Sequence, residues 1–250
     1  MYGSDDEGFL YTQVLFESAG EYYSSRSAQR MIHLTADSHR ELFRTSTLVP
    51  VAFYKAPISA GGTLAPAVVG ENVFFKAVRP SGYSSDVDLS APWTPANRQQ
   101  HEMEIAERLS LDQHANICRY LGYRPSADGA FVAGLCYERH IETLLAAVNA
   151  QKSLSPTFLD EVQSALEHLH RLGFAHNDIN PTNVMISLTG APVLIDFDSC
   201  LELGRPLSQG ARGSTYGWEY PGSVSAVEND MWALARMRQW VANPKMDLYV

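Results

Sequence analysis

The chain has 250 residues, of which 45% are hydrophobic and 19% are charged, proportions typical of a globular protein long enough to bury a sizeable core. Its formal net charge of -9 at pH 7 argues against a nucleic acid or an anionic membrane surface as a partner. No apolar run reaches the length of a membrane span. Residues 1–7 are acidic and lack the basic and apolar segments of a secretory signal, so we expect no such signal.

The three cysteines are an odd number, and their spacing fits no metal site. We therefore expect Cys118, Cys136 and Cys200 to be buried free thiols, which are typical of a reducing compartment. This pattern predicts an intracellular protein, located in the cytoplasm.

The first 48 residues carry no pattern to which chemistry can be assigned. We predict that residues 1–48 form a partly flexible N-terminal extension, because residues 17–30 are polar and rich in serine. Residues 30–34 are predicted to form a short strand.

From residue 49 onwards the pattern predicts a small sheet. Residues 49–54 are predicted to form a strand, and residues 59–63 a flexible loop with two adjacent glycines. Two further strands are predicted over residues 67–69 and 73–78, joined by a tight turn. The last of these strands carries a single lysine, Lys76, among apolar residues.

A helix is predicted over residues 96–109. Glu102, Ile105 and Leu109 recur there at spacings of three and four, so the acid lies beside the apolar face of the helix. A carboxylate in that position can reach inward to the lysine of a neighbouring strand, which predicts an ion pair between Glu102 and Lys76.

Each member of this pair has a competitor in the sequence. Lys55 is an alternative lysine, but it lies further from Glu102 along the chain than Lys76 does, and the shorter connection favours Lys76. Glu104 is the alternative acid, which we expect to be exposed. Solvation at the surface is the ordinary situation for any of these charged side chains.

The second half of the chain is predicted to be mainly helical. After a strand over residues 130–137, helices are predicted over residues 142–150 and 155–172, the second ending at Gly173. A short strand over residues 192–195 follows.

The most informative stretch lies between the last helix and that strand and just beyond it. Residues 176–183 read H-N-D-I-N-P-T-N, and residues 195–198 read I-D-F-D. Asp178, Asn183 and Asp196 therefore stand at fixed offsets. The first motif alone would also suit a capped turn, because Asn, Asp and Pro all favour turns. Together the two motifs closely resemble the catalytic loop (H-R-D-x-K-P-x-N) and the D-F-G metal-binding loop of protein kinases.

The resemblance extends over about residues 50–242. Residues 114–123 resemble the kinase H-P-N-I-V-x-x-L-G segment, residues 213–221 the end of an activation segment, and residues 230–235 the start of the buried central helix. The combination of motifs is similar to that of a group of short fungal kinase-like proteins.

The fold implied by this resemblance is an α+β, two-lobe protein-kinase-like fold. A β-rich N-lobe with the hinge would span residues 49–139, and a mainly helical C-lobe lacking the last helices would span residues 140–250. An exposed underside of that shortened lobe would need cover, so a partner protein or a dimer is a further expectation.

The resemblance also assigns cofactors and roles. With ATP and Mg²⁺ as cofactors, Lys76 would bind the α- and β-phosphates, steadied by Glu102, and Asp178 would act as the catalytic base. Asn183 and Asp196 would hold Mg²⁺, which prefers oxygen ligands. The backbone of the hinge would hold the adenine, and its residues here are Glu138 and His140, preceded by a bulky Tyr137 that would narrow the rear of the pocket. His176 would be structural, and Thr215 would bond the catalytic aspartate.

Several positions depart from the family pattern. Asn177 replaces an arginine that clamps a phosphorylated loop, so we predict no phosphate switch of that kind. Asn180 replaces a lysine that helps to neutralise the transferring phosphate. Asp198 replaces the D-F-G glycine and would bring a further carboxylate towards the metal. Gly222 replaces the A-P-E glutamate, and the glycine-rich loop at residues 60–65 is degenerate.

Three functions therefore remain open. The first is an ATP- and Mg²⁺-dependent kinase acting on Ser or Thr hydroxyls of an unknown protein substrate. The second is a pseudokinase that serves as an ATP-binding or interaction scaffold, which the departures favour. The third is a small-molecule phosphotransferase of the aminoglycoside or choline kinase type, against which stands the short connection between Glu138 and Asp178.

Overall fold

The computed structural model describes residues 2–5, 8–58, 61–66, 70–84, 86–209 and 215–244. The strand predicted over residues 67–69 lies outside the described residues, as does the start of the predicted glycine-containing loop at residues 59–60. None of the helices in the described part of the chain is long and apolar enough to cross a membrane.

An antiparallel sheet occupies the first part of the chain. It comprises, in order, β1 (Tyr2–Asp5), β2 (Gly8–Ser18), β3 (Glu21–Ser27) and β4 (Thr47–Leu48). The expectation of a flexible arm over residues 17–30 is therefore wrong. The serine-rich strand pairs along its whole length with β2, and Ser24 accepts a buried hydrogen bond of 2.8 Å from Gln13. Pairing with a remote strand is not visible in local composition.

Two short strands predicted before the main sheet are also wrong. Residues 30–34 contain a 3₁₀ helix (Met31–His33), which is followed by α1 (Ala36–Arg44). Residues 49–54 contain the one-turn helix α2 (Val51–Tyr54), which begins after Pro50. An apolar run this short does not distinguish a buried strand from a buried helix.

The main sheet has three strands in the order β5 (Val73–Ala77), β7 (Val132–Glu138) and β6 (Tyr120–Pro125). The helix α3 (Pro95–Leu109) packs against it, capped at its start by the hydroxyl of Thr94. The predicted strands around Lys76 and before the hinge are thus confirmed, as is the predicted helix that carries Glu102. Lys76 stands opposite Leu135 in the antiparallel register of β5 and β7.

The glycine-containing segment lies on the other edge of this sheet. Residues 61–66 run beside β6, where Tyr123 N donates to Thr63 O at 2.8 Å and Ala65 N donates to Tyr123 O at 2.9 Å. Gly122 makes this approach possible, because a Cβ there would lie 2.5 Å from Thr63 O. Strands are about 4.8 Å apart, and both β6 and β7 lie between the segment and β5, so three such spacings separate the segment from β5. It does not lie over Lys76.

The remainder of the described chain is mainly helical, as predicted. Its three helices are α4 (Leu144–Asn149), α5 (Phe158–Arg171) and α6 (Val227–Ala242). Short elements join them: β8 (Glu142–Thr143), β9 (Phe174–Ala175), β10 (Val184–Ile186), β11 (Pro192–Leu194), β12 (Leu201–Glu202) and a 3₁₀ turn at Leu207–Gln209. Gly173 ends α5 with φ of 86°, a conformation that glycine adopts without strain.

One apolar cluster unites this helical part with the loops that follow it. Its fully buried members include Leu166 of α5, Phe197, and Leu234 and Trp240 of α6. Phe197 belongs to the I-D-F-D motif, so the core of the helical lobe fixes the position of that motif. The three cysteines are free and buried, as predicted.

Candidate active site

The predicted lysine–glutamate pair forms, and a second carboxylate joins it. Lys76 Nζ donates to both carboxylate oxygens of Glu102, at 2.8 and 2.7 Å, and to Asp196 Oδ1 at 2.7 Å. One ammonium group therefore links β5, α3 and the I-D-F-D motif. Lys55, the alternative lysine, lies over the ring of Tyr54 instead, and Glu104 is exposed and accepts a bond from Gln100.

The carboxylates around Lys76 keep its ammonium group protonated. Burial by itself lowers the pKa of this lysine, but the carboxylates of Glu102, Asp196 and Asp198 outweigh that effect and raise the pKa well above its ordinary value. Glu102 is buried, and a carboxylate in such a place is retained only when it is paired and hydrogen-bonded. The lysine is thus a fixed positive charge at the boundary of the two lobes.

The loop that carries Asp178 is held from below by the first turn of α6. Asp230 accepts bonds from the backbone N–H groups of His176, at 2.9 Å, and of Asn177, at 2.8 Å. Asn177 adopts φ of 62°, a conformation that asparagine tolerates better than most residues. Its side-chain amide donates to Ala175 O and to Ser225 Oγ. The side chain of Asn177 therefore stabilises its own loop. Many kinases carry at this position an arginine that binds a phosphorylated loop.

Asp178 is buried and accepts hydrogen bonds on both of its carboxylate oxygens. Thr215 donates to Oδ1 from its backbone N at 2.7 Å and from its hydroxyl at 2.8 Å, so the predicted bond from Thr215 is confirmed. Asn180 Nδ2 donates to the same oxygen at 3.2 Å, and Asn183 Nδ2 donates to Oδ2 at 2.9 Å. The carboxylate is therefore held in one orientation by three side chains.

Asn183 and Asp196 offer the oxygens that a magnesium ion would need. The amide nitrogen of Asn183 is engaged by Asp178, which leaves its carbonyl oxygen as the ligand atom. No group of three His, Cys, Asp or Glu side chains able to hold a metal occurs among the described residues. A site with one or two protein oxygens suits Mg²⁺, since this ion keeps several waters or substrate phosphates as ligands. The residues present therefore fit Mg²⁺ bound together with a nucleotide.

The backbone at Asp196 is strained. Its φ is 66°, a conformation that costs a non-glycine residue about 1–3 kcal/mol and is concentrated at functional sites. The residues on either side hold it there: His176 Nε2 donates to Ile195 O at 3.0 Å, and its ring lies 5.3 Å from that of Phe197. His176 is fully buried, so the prediction that it is structural agrees with its contacts.

Asp198 stands where the family has glycine, and it faces the same site. It is buried at the edge of a polar cavity that Lys76 and Asp196 also line. Ser199 Oγ donates to its Oδ1 at 3.2 Å. A third carboxylate is thus present beside the predicted metal ligands, as the sequence led us to expect.

On the other side of Lys76 lies a mostly apolar cavity of about 230 Å³. Glu138 and His140 line it, together with Phe74 of β5 and Met185 of β10. His140 Nε2 is buried and has no hydrogen-bond partner within the described ranges. Burial lowers the pKa of His140, against an opposing effect of Glu138, so the ring is neutral at pH 7. A mostly apolar cavity that also presents a ring nitrogen without a hydrogen-bond partner suits the heteroaromatic base of a nucleotide.

The sequence of the chain matches a known protein family. The family described as protein kinase domain matches residues 70–241, more than half of the chain. The chain belongs to the protein kinase family. The match covers Lys76, Glu102 and the whole of residues 176–198, so the kinase domain contains all the predicted site residues.

The most similar relatives considered are serine/threonine-protein kinases. The domain is 33% identical over 116 residues to UCNL of Arabidopsis thaliana, an overlap that covers 44% of this chain and 28% of that protein. It is 32% identical over 132 residues to SKS1 of Saccharomyces cerevisiae, covering 50% of this chain and 26% of that protein. The chain thus spans little more than a quarter of the length of each of these relatives.

Solved structures support the fold. The granulovirus kinase PK-1 of Cydia pomonella superposes with a TM-score of 0.52 at 14% identity, covering 70% of this chain and 61% of that one. A chain of the yeast RNA Pol II CTD kinase CTDK-1 complex gives 0.50 at 13% identity, covering 93% and 62%. At these identities the likeness concerns the fold alone. With the family match it confirms the predicted α+β protein-kinase-like fold.

Two features of the kinase site were not found in the sequence. Tyr137 donates its hydroxyl to Glu102 Oε1 at 3.0 Å, whereas the sequence predicted only that it would narrow the pocket. Arg98 and Gln99 line the polar cavity beside Asp196 and were given no role. Their spacing of four and three residues before Glu102 places them on the same helix face, which is the signal that would have found them.

Proposed function

We propose that this kinase domain transfers the γ-phosphate of ATP to a serine or threonine hydroxyl of a protein, with Mg²⁺ as the metal. The observation that carries the proposal is the network in which Lys76 joins Glu102 to Asp196, next to an Asp178 whose carboxylate is oriented on both sides. The names of the serine/threonine-protein kinase relatives support the choice of substrate hydroxyl.

In this proposal the residues of the chain work mainly by positioning and electrostatics, which dominate catalysis of phosphoryl transfer. Asp178 orients the substrate hydroxyl and accepts its proton. Lys76 binds nucleotide phosphates, and Glu102 keeps its ammonium in place. Glu138 and His140 hold the base through backbone groups at the rim of the apolar cavity, while Asn183 and Asp196 hold the metal. When bound, the metal–nucleotide complex supplies the phosphoryl group and neutralises its charge.

The scaffold alternative is weakened by the geometry. An interaction module has no need for a lysine shared between two carboxylates, nor for an aspartate oriented by Asn183 and Thr215. The small-molecule alternative is weakened by the segment from Glu138 to Asp178. It contains only β8, α4, α5 and β9, without additional helices for an inserted substrate domain.

We also propose that the domain is intracellular. Cys118 and Cys200 are buried, and burial raises the pKa of the Cys118 thiol to about 12, with Glu138 adding to the effect. Such thiols are chemically inert rather than poised to form bridges, which suits a reducing compartment.

The test compares wild type with Asp178→Asn and Asp196→Asn in two assays: the thermal shift on adding ATP with Mg²⁺, and transfer of labelled phosphate to a mixture of protein substrates. Asp178→Asn is expected to retain the thermal shift and to lose transfer by about 10²- to 10⁴-fold, the usual contribution of a general base. Asp196→Asn is expected to lose the part of the shift that depends on Mg²⁺.

Asp160→Asn is the matched control, because that carboxylate is exposed on α5 and forms an ion pair with Arg238 at the surface. A wild-type protein that neither binds ATP nor transfers phosphate to any protein would contradict the proposal and favour the scaffold. Transfer to choline or to an aminoglycoside instead would favour the small-molecule enzyme.

A further inference from the structure

A second, polar cavity of about 360 Å³ lies beside the apolar one. Its walls are the end of β5 with the residues after it, the first turns of α3, and Asp196 with Asp198. Lys76, Glu102 and Asp196 line both cavities. The two spaces are therefore neighbours on either side of the Lys76 ammonium, one suited to an apolar ring and one suited to charge.

Two buried hydrogen-bond donors on the wall of the polar cavity have no acceptor among the described residues. Gln99 is 2% exposed, and its Oε1 accepts a bond of 3.0 Å from Ala56 N. Its Nε2 is buried and, over the described part of the chain, has no hydrogen-bond partner. The same holds for Nε of Arg98. Buried donors without partners are rare, and each calls for a ligand or another explanation.

The charges on this wall suit an anion that arrives with a metal ion. Arg79 and Arg98 line the cavity together with Lys76, and so do the carboxylates of Glu102, Asp196 and Asp198. A cavity lined by both cations and carboxylates suits a complex between a polyphosphate and a divalent ion, because the cations can bind the phosphates and the carboxylates can bind the metal.

Within the described residues, two devices that the family uses on phosphates are not found beside Lys76. Residues 61–66, the glycine-containing segment, lie along β6 and not above Lys76. Asn180, which replaces the lysine of the catalytic loop, donates to Asp178 and Thr215. A phosphate-binding role in this chain is therefore open to other residues.

We propose that Arg98 and Gln99 of α3 bind the polyphosphate of a nucleoside triphosphate whose base occupies the apolar cavity. The guanidinium of Arg98 and the amide nitrogen of Gln99 donate to phosphate oxygens, with Arg79 adding charge at the rim. This inference rests on the proposed function, because it concerns the same nucleotide. It assigns to α3 a direct contact with the ligand in addition to carrying Glu102.

The experiment measures the dissociation constants of ATP and of adenosine, both with Mg²⁺, for the full chain by calorimetry. Arg98→Ala is expected to weaken ATP about 10- to 100-fold, as for loss of hydrogen bonds between charged groups. Adenosine, which has no phosphate, is expected to bind as it does to wild type. Arg98→Gln keeps most of the side-chain volume and repeats the test should the alanine variant fail to fold.

Arg108→Ala is the matched control. It removes the same charge from the same helix, but Arg108 is exposed and pairs with Glu202, so both ligands should bind as to wild type. If wild type prefers ATP to adenosine and both Arg98 variants keep that preference, this inference is wrong while the proposed function stands. If wild type binds neither ligand, the proposed function fails, and this inference fails with it.

Discussion

At the scale of single residues, the orientation of Glu102 depends on two donors from different strands. Lys76 reaches it from β5, and the hydroxyl of Tyr137 reaches it from β7. Burial raises the pKa of Tyr137 well above its ordinary value, and the charge of Glu102 raises it further. The phenol therefore remains a donor across the accessible pH range. In this kinase domain the bulky residue before the hinge acts as a positioning residue for the glutamate.

Tyr137→Phe tests that role, since it removes one hydrogen bond to Glu102 and little volume. If the hydrogen bond from Tyr137 contributes about 1–2 kcal/mol to holding Glu102 in place, its removal should lower kcat by about 5- to 30-fold. The affinity for adenosine, measured separately, should not change. Tyr123→Phe on β6 removes a hydroxyl at a distance from Glu102 and is the control. A kcat equal to that of wild type in the Tyr137 variant would exclude the positioning role.

At the scale of elements, the sequence predicted best where local and long-range forces agree. The helices α3 and α5 carry apolar faces of helical period together with starting signals, and both formed. Motif spacing predicted Lys76, Glu102, Asp178, Asn183 and Asp196 as site residues. In the fold, Lys76 bonds Glu102 and Asp196, and Asn183 bonds Asp178. Their roles as base and ligands stay predictions.

Other elements depended on partners that local sequence does not reveal. The strand β3 is serine-rich and is held by β2 and β4, so its composition suggested flexibility. Residues 61–66 carry two adjacent glycines, the sequence pattern of a degenerate glycine-rich loop, but Gly122 lets this segment approach β6. Helical spacing places Gln99 on the same face as Glu102, but the sequence does not show that its side-chain nitrogen is buried without a partner in the described structure.

Glu107 of α3 holds the glycine-containing segment in this position. Its carboxylate accepts from Thr63 N at 2.6 Å and from the Thr63 hydroxyl at 2.7 Å. We expect Glu107→Ala to accelerate proteolysis and hydrogen exchange of residues 61–66. The KM for ATP should stay within about twofold of wild type, because both bonds lie at the edge of the sheet opposite β5 and Lys76.

Glu104→Ala provides the comparison, because Glu104 is exposed on the same helix and accepts only from Gln100 among the bonds described. Exchange of residues 61–66 should then match wild type. A large rise in the KM for ATP in the Glu107 variant alone would mean that the segment does contact the nucleotide, contrary to the fold described here.

At the scale of the whole molecule, one buried carboxylate joins the helical lobe to the loop of residues 176–183. Asp230 lies in the first turn of α6 and is fully buried. It accepts from the backbone N–H groups of His176 and Asn177, and His170 Nε2 of α5 lies 2.9 Å from its Oδ2. The position of Asp178 is thus set in part by the packing of α5 against α6.

Asp230→Ala should therefore lower stability and not only activity. It leaves two buried N–H groups without an acceptor, at about 1–3 kcal/mol each, so the free energy of unfolding should fall by roughly 2–6 kcal/mol. Denaturation by urea, followed by tryptophan fluorescence, measures this change. Asp160→Ala removes a carboxylate from an exposed pair with Arg238 and should cost less than about 1 kcal/mol. Equal stabilities of the two variants would show that the loop is held by its own turn geometry, and that α6 merely packs beneath it.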